Sequence, residues 1–263
     1  MSGIYTIPRI VSGDDLATLV NCRAFYARPI VDGKAHGPLV AYHGTYAGPD
    51  GKQLRYVGDA FVNFAQAEQF PTILTYFASR LTDLMEARIS TVSEFYNSPI
   101  AEGSLVLVGM PIAAYMLTTE VGRHIGCRTI FFEKKTIEIG VNGEKDKTKL
   151  IQGRHQVLPG EKVILVEELV NNVSTASEAM KVSESTGGEV VAIVCAVNRS
   201  YPFRNVFETE DGRKIPIIAV IEKSFEQYRQ DAPEVAEDVR TGNISWDPKK
   251  EWQRLKEAMD EYA

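Results

Sequence analysis

The sequence predicts an α/β protein: a doubly wound, mostly parallel sheet with a small N-terminal hood and a β-hairpin flap. Three observations carry that prediction. Uninterrupted apolar runs at 105–109, 163–166 and 190–197 alternate with amphipathic stretches, the pattern of strands buried on both faces and joined by helices. One run ends in adjacent acids, Glu167 and Glu168, just ahead of a helix start. A polar, lysine-rich stretch at 134–156 breaks the alternation and centres on Asn142-Gly143, a hairpin signal.

Each element has a local reason. Ser12-Gly-Asp-Asp caps a short helix to about Asn21, with Leu16, Leu19 and Val20 on its apolar side. Strands are expected at 38–46, 53–57 and 60–64, the first two joined by the turn formers of Ala47-Gly-Pro-Asp-Gly-Lys. Pro71 opens a helix to about Ala87, with Ile73, Leu74, Phe77, Leu81, Leu84 and Met85 at spacings of three and four. From residue 104 the order is strand 104–109, helix from Pro111 to Ile125 stopped by Gly126, strand 128–133, flap, and strand 162–168. A helix at 174–186 stopped by Gly187-Gly188, strand 189–197 and strand 214–221 follow, with Pro216 placing the last strand toward an edge or start. An amphipathic helix closes the chain between Trp246 and Tyr262. The organisation expected is a hood at 1–68, a core at 69–230 and a helical tail at 231–263.

The 263 residues carry 29 Lys+Arg against 35 Asp+Glu, a net charge of −6 that argues against a general nucleic-acid or membrane-surface binder. A hydrophobic content of 44% excludes a disordered chain. Cys22, Cys127 and Cys195 are widely spaced with no CxxC, so neither a disulfide framework nor a zinc site is indicated. No basic-then-apolar leader opens the sequence, and no apolar run reaches the ~20 residues of a membrane span. A cytoplasmic protein is expected.

In an open parallel sheet, ligands bind beyond the carboxyl ends of the strands. At 163–176 a buried strand delivers two carboxylates, a short polar loop follows, and a helix begins at Ser174 and Thr175. Acids accept hydrogen bonds from vicinal sugar hydroxyls, and a helix N-terminus favours a phosphate. That combination describes a cradle for a ribose 5-phosphate. The spacing alone fits equally well a solvated strand end followed by an ordinary helix cap. Arg154-His155 after the flap, His43 in the first hairpin, and Glu120 with His124 at i and i+4 are weaker candidates, better read as surface groups.

The segment Val163 to Ala176 resembles the phosphoribosyl-pyrophosphate motif of the type I phosphoribosyltransferases: an apolar strand, two acids, then a loop rich in Thr and Gly. Ala60-Phe-Val-Asn-Phe, Gln69-Phe-Pro, Leu107-Val-Gly-Met-Pro-Ile-Ala-Ala, Phe131-Phe-Glu-Lys-Lys and Gly153-Arg are similar, in the same order, to the orotate branch. The resemblance covers about residues 35 to 225. It implies transfer of a 5-phosphoribosyl group from phosphoribosyl pyrophosphate to orotate or a related pyrimidine. The alternative is a non-catalytic protein of this fold that binds nucleotide or phosphoribosyl pyrophosphate as a regulator. It implies Lys134, Glu167 and Glu168 as catalytic residues, and Lys135, Asn171, Asn172, Val173, Ser174 and Thr175 as substrate-binding ones. It also implies Mg²⁺, met by Glu167 and Glu168 through water or substrate, a base held near Phe61, Asn63 and 109–113, and a homodimer. Three departures stand out. Asn171, Asn172 and Val173 replace the usual Thr and Gly, Glu133 stands where the branch has Arg, and the flap histidine is missing, with Lys145, Lys147 and Lys149 in its neighbourhood.

Overall fold

The structure, a computed structural model, describes residues 7–90, 92, 105–138 and 147–262. Ser104 and the flap tip, with Asn142-Gly143 and Lys145, lie outside the described residues. The chain forms two compact units: Met1–Ala67 with Ser224–Ala263, and Glu68–Lys223.

In the first unit, the strand Leu39–Ala47 pairs antiparallel with Gln53–Gly58, and Ile244–Ser245 pairs parallel with Leu39 and Val40. Phe25–Ala27 pairs with Ala60–Val62. The helix Asp15–Asn21 is capped by Asp14, whose carboxylate accepts the Ala17 N–H at 2.8 Å. It buries Thr18 and Leu19, whereas Val20, expected inside, is exposed. Thr18 turns inward in its place because its hydroxyl accepts the Val11 N–H at 2.9 Å. Residues 231–263, expected as a separate tail, are built into this unit. The helix Trp252–Glu261 buries Trp252, Leu255 and Ala258 with Tyr26, Val40 and Tyr42, where its apolar stripe finds a partner surface. Arg28, also buried, is neutralised by Asp59 at 3.2 Å and Asp238 at 3.1 Å.

The second unit holds the parallel sheet. In chain order its elements are α1 (Pro71–Arg88), β1 (Leu105–Gly109), α2 (Tyr115–Ile125), β2 (Arg128–Phe131), β3 (Glu133–Glu138) and β4 (Lys147–Ile151). Then come β5 (Lys162–Val170), α3 (Ser174–Glu184), β6 (Glu189–Asn198), β7 (Val206–Glu208) and β8 (Lys214–Glu222). The strand order is β7-β8-β6-β5-β1-β2, antiparallel only at the β7 edge. The hairpin β3–β4 is antiparallel and lies outside that sheet. Val106, Val108, Val163, Leu165 and Ile193 form a core with Ala176, Ala179 and Met180 of α3. The alternate residues Leu105, Leu107, Ile164 and Val166 are just as buried on the opposite side, where α2 packs on β1 and β5. The helix expected from Pro111 begins four residues later. Residues 111–114 form a turn, and the N–H of Thr118 bonds the Ala114 carbonyl at 2.9 Å. Gly126 ends that helix at φ +77°, a conformation glycine adopts without strain.

Along the chain β1 comes first, β2 is laid on one side of it and β5 on the other. The order of strands therefore reverses between β1 and β5, and such a reversal opens a crevice beyond the carboxyl ends of the two strands.

Candidate functional site

Strand β5 is buried from Val163 to Val166 and then delivers Glu167 and Glu168, both half-buried, at the crevice. Glu167 lies in register with Cys195 of β6, so it is flanked by the sheet rather than by solvent. Its Oε1 is enclosed and has no hydrogen-bond partner. Burial pushes its carboxyl up to about 8; the neighbouring Glu168 adds to the rise and Lys134 opposes it. At neutral pH Glu167 thus holds its proton most of the time and offers both a donor and an acceptor. Across the crevice, β1 ends at Gly109, where a Cβ would stand 2.7 Å from both Phe131 and the Thr118 hydroxyl. The Met110 N–H donates to the Val166 carbonyl at 3.0 Å, tying the following turn to β5. In that turn the Pro111–Ile112 peptide is cis and Ile112 is exposed.

The loop between β5 and α3 is unusual. Val173 is left-handed, φ 52° and ψ 13°, a region that β-branched residues avoid. Its side chain is buried in the core with Val170 and Ala176. Strain of about 1–3 kcal/mol is set against the ~1.5–3 kcal/mol gained by burying a valine, so packing holds the backbone there. The Asn172 side-chain oxygen accepts the Ser174 hydroxyl at 2.8 Å and the Ser174 N–H at 3.3 Å. Both Ser174 donors are therefore engaged, and the anion-binding capacity of this end rests with the next amides of α3 and with Thr175. Asn171 is half-buried and Asn172 exposed.

Hairpin register sorts the lysines. Lys134 is opposite the buried Leu150, Lys135 is opposite Lys149, and Glu133 is opposite Ile151. Opposed residues share a face and neighbours alternate, so Lys134 lies on the core side, where Glu167 feels its charge. Lys135 lies on the other face. The structure thus brings Lys134, Glu167 and Glu168 together with the loop 171–175, and places Lys135 apart from them. The reason is a parity that a run of two lysines does not display.

Among the remaining polar groups, Arg154 and Glu120 were weaker sequence candidates, whereas Asn198, Arg199 and Ser200 were not anticipated. Arg154 pairs with Glu133, Nε to Oε1 3.7 Å. Asn198, Arg199 and Ser200 are buried at the carboxyl end of β6, and the Arg199 N–H bonds the Val170 carbonyl at 2.9 Å. The available signal was polar residues closing the most apolar strand. Glu120 accepts the Thr75 hydroxyl at 2.8 Å and pairs with Arg123 at 3.6 Å. Among the described residues no three His, Cys, Asp or Glu gather to hold a metal, and no helix is long and apolar enough to cross a membrane.

No protein-family model matches the chain. An orotate phosphoribosyltransferase of Desulforamulus reducens is 29% identical over 99 residues, 38% of this chain and 47% of that protein. One of Caldanaerobacter subterraneus subsp. tengcongensis is 27% identical over 143 residues, 54% of this chain and 62% of that protein. The match thus spans about half the length of the first of these curated relatives and somewhat more of the second. The crystal structure of orotate phosphoribosyltransferase from Aeropyrum pernix overlaps 69% of this chain and 87% of its own, at 10% identity and TM-score 0.39. That overlap is too loose to add weight. Over these stretches the chain is similar in sequence to orotate phosphoribosyltransferases.

Proposed function

We propose that the chain transfers a 5-phosphoribosyl group from phosphoribosyl pyrophosphate to a nucleobase, orotate or a related pyrimidine. A base nitrogen bonds to C1 of the ribose while the C1–O bond to pyrophosphate breaks, and pyrophosphate leaves with the electron pair. The enclosed, unpartnered Oε1 of Glu167 carries this reading, because a buried polar atom without a partner is costly unless a ligand supplies one. In the proposed site Glu167 and Glu168 hold the ribose hydroxyls, and the amides at the start of α3 with Thr175 meet the 5′-phosphate. Lys134 offsets charge gathering on the leaving diphosphate. Asn171, Asn172, Val173 and Ser174 shape the phosphate end rather than supply its donors. The Glu167–Glu168 pair would suit Mg²⁺ met through water or substrate oxygens, with Glu167 giving up its proton as the cation approaches. When bound there, Mg²⁺ would neutralise diphosphate charge. A cytoplasmic homodimer completes the proposal.

The test is release of pyrophosphate from phosphoribosyl pyrophosphate with orotate, uracil or adenine and Mg²⁺. Turnover with a pyrimidine is expected. The double variant Glu167→Gln, Glu168→Gln should lose at least about 100-fold in kcat/KM, as removal of preorganised polar groups does. Undiminished turnover in that variant would remove the site assignment. One observation favours a second reading, a regulator that binds without reacting: Asn172 already occupies the donors of Ser174. Binding of phosphoribosyl pyrophosphate with no pyrophosphate released from any base would select it.

A further inference from the structure

The return strand of the hairpin, β4, is fastened along α3, the helix that begins at the crevice. The Leu150 N–H donates to the half-buried Glu178 carboxylate at 2.8 Å. Two residues on, the Gln152 amide donates to the Val182 carbonyl at 2.7 Å and to the Thr186 hydroxyl at 3.1 Å. The oxygen of that same amide accepts the Val157 N–H at 2.7 Å, so both ends of the side chain are fixed. Glu178 and Val182 on α3, and Thr186 just past its end, are spaced by four and fall on one face. Two residues of strand advance about 6.6 Å. Four residues of helix advance about 6 Å, so β4 runs beside α3 in the same direction. The Leu150 side chain is buried in one core with Ala176, Ala179 and Met180 of that helix. An N–H given to α3 points away from β3, so Leu150 and Lys134 form the narrow, non-hydrogen-bonded kind of cross-strand pair. A carboxylate over a strand edge also blocks edge-to-edge pairing. That role accounts for Glu178 alone, but not for a second fastening in line with it.

We propose that Glu178, seconded by Gln152, is a positioning residue: it ties β4 to α3 and so holds Lys134, the partner of Leu150, in place for the reaction at the crevice. This role rests on the transfer reading and adds to it a link between the hairpin lysine and the helix whose first amides meet the phosphate. The test is a double-mutant cycle on pyrophosphate release by the full chain with orotate and Mg²⁺. Glu178→Ala should lower kcat about 10-fold and leave the KM for orotate within about 2-fold, because a misplaced lysine fails the leaving group. Glu178→Gln keeps a carbonyl oxygen for the Leu150 N–H and should recover most of the loss. In a Lys134→Ala background, Glu178→Ala should cost less than about 2-fold, since one residue acts through the other. Amide hydrogen exchange reads the fastening without turnover. The Leu150 N–H should exchange at least about 10-fold faster in Glu178→Ala, while β5 and β6 exchange as before and show that the sheet stays folded. A full ~10-fold loss in the Lys134→Ala background, or unaltered exchange at Leu150, would overturn the assignment. If the unmodified chain releases no pyrophosphate with any base, the transfer reading falls, and the same cycle is run on phosphoribosyl pyrophosphate affinity by calorimetry. Non-additive losses there would keep the link between Glu178 and Lys134; additive or absent losses would remove it.

Discussion

Strands β5 and β6 lie side by side and run parallel, yet their carboxyl ends are finished in different ways. At the end of β6 Asn198 and Ser200 are tied to the loop that follows. Asn198 donates its amide to the Arg204 carbonyl at 2.8 Å and accepts the Ser200 N–H at 3.1 Å, and the Ser200 hydroxyl accepts the Arg204 N–H at 3.0 Å. At the end of β5 an enclosed carboxyl oxygen has no partner, and the chain leaves through a left-handed valine. Asn198 and Ser200 are held by their own loop; Glu167 keeps an enclosed oxygen without a hydrogen-bond partner, and its strand leaves through a strained exit. Strain and unsatisfied polarity concentrate where a ligand completes the structure.

The largest effect should come from titrating β5. Between about 4.3, the ordinary glutamate value, and about 8, the folded chain keeps a proton on Glu167 that the unfolded chain has released. The unfolded state then binds fewer protons, so stability falls as pH rises through that window. Denaturant titrations from pH 5 to pH 8 should show a loss on the order of 3 kcal/mol, and Glu167→Gln should flatten the curve. A wild-type profile that rises over the same interval would contradict the buried, protonated acid.

A smaller effect is expected at β6. Asn198→Ala strands buried partners and should cost about 1–3 kcal/mol at every pH, read as a lower denaturant midpoint. The two variants thereby sharpen the contrast, because one changes pH dependence and the other only the baseline. Val173→Gly tests the exit loop and should have the smallest effect. It relieves the left-handed strain but forfeits a buried side chain, for a net loss of about 1 kcal/mol in the same assay. A stabilised glycine variant would show that strain, not packing, dominates there.

What could be read from the sequence follows from how local each cause is. Leu105–Gly109 and Val163–Val166 announce buried strands because both faces of each are apolar, and Pro71 and Gly126 mark helix ends through their own backbone preferences. The crevice was legible for the same reason: an acid pair at the end of an apolar run is a contiguous signal. The rest depends on residues far apart in sequence. The separation of Lys134 from Lys135 is set by the β4 register, and Arg154 is fixed by an acid 21 residues earlier. Phe25–Ala27 becomes a strand only because Ala60–Val62 pairs with it. The delayed start of α2 comes from the turn at 111–114, where a proline that would suit a first helical turn sits before it instead.

The buried Arg28 has a consequence for how the molecule is made. One of its two acids, Asp59, is nearby in sequence, but the other, Asp238, leaves the ribosome some 179 residues after Asp59, as their numbers give. At ordinary translation speeds that interval is on the order of ten seconds or more. Throughout it the segment Glu68–Lys223 is free to assemble, while the opening residues wait with a half-neutralised guanidinium. Birth order is thus inverted: the part synthesised first is the last to mature, and a nascent chain halted before Asp238 would hold a finished sheet beside an unfinished beginning.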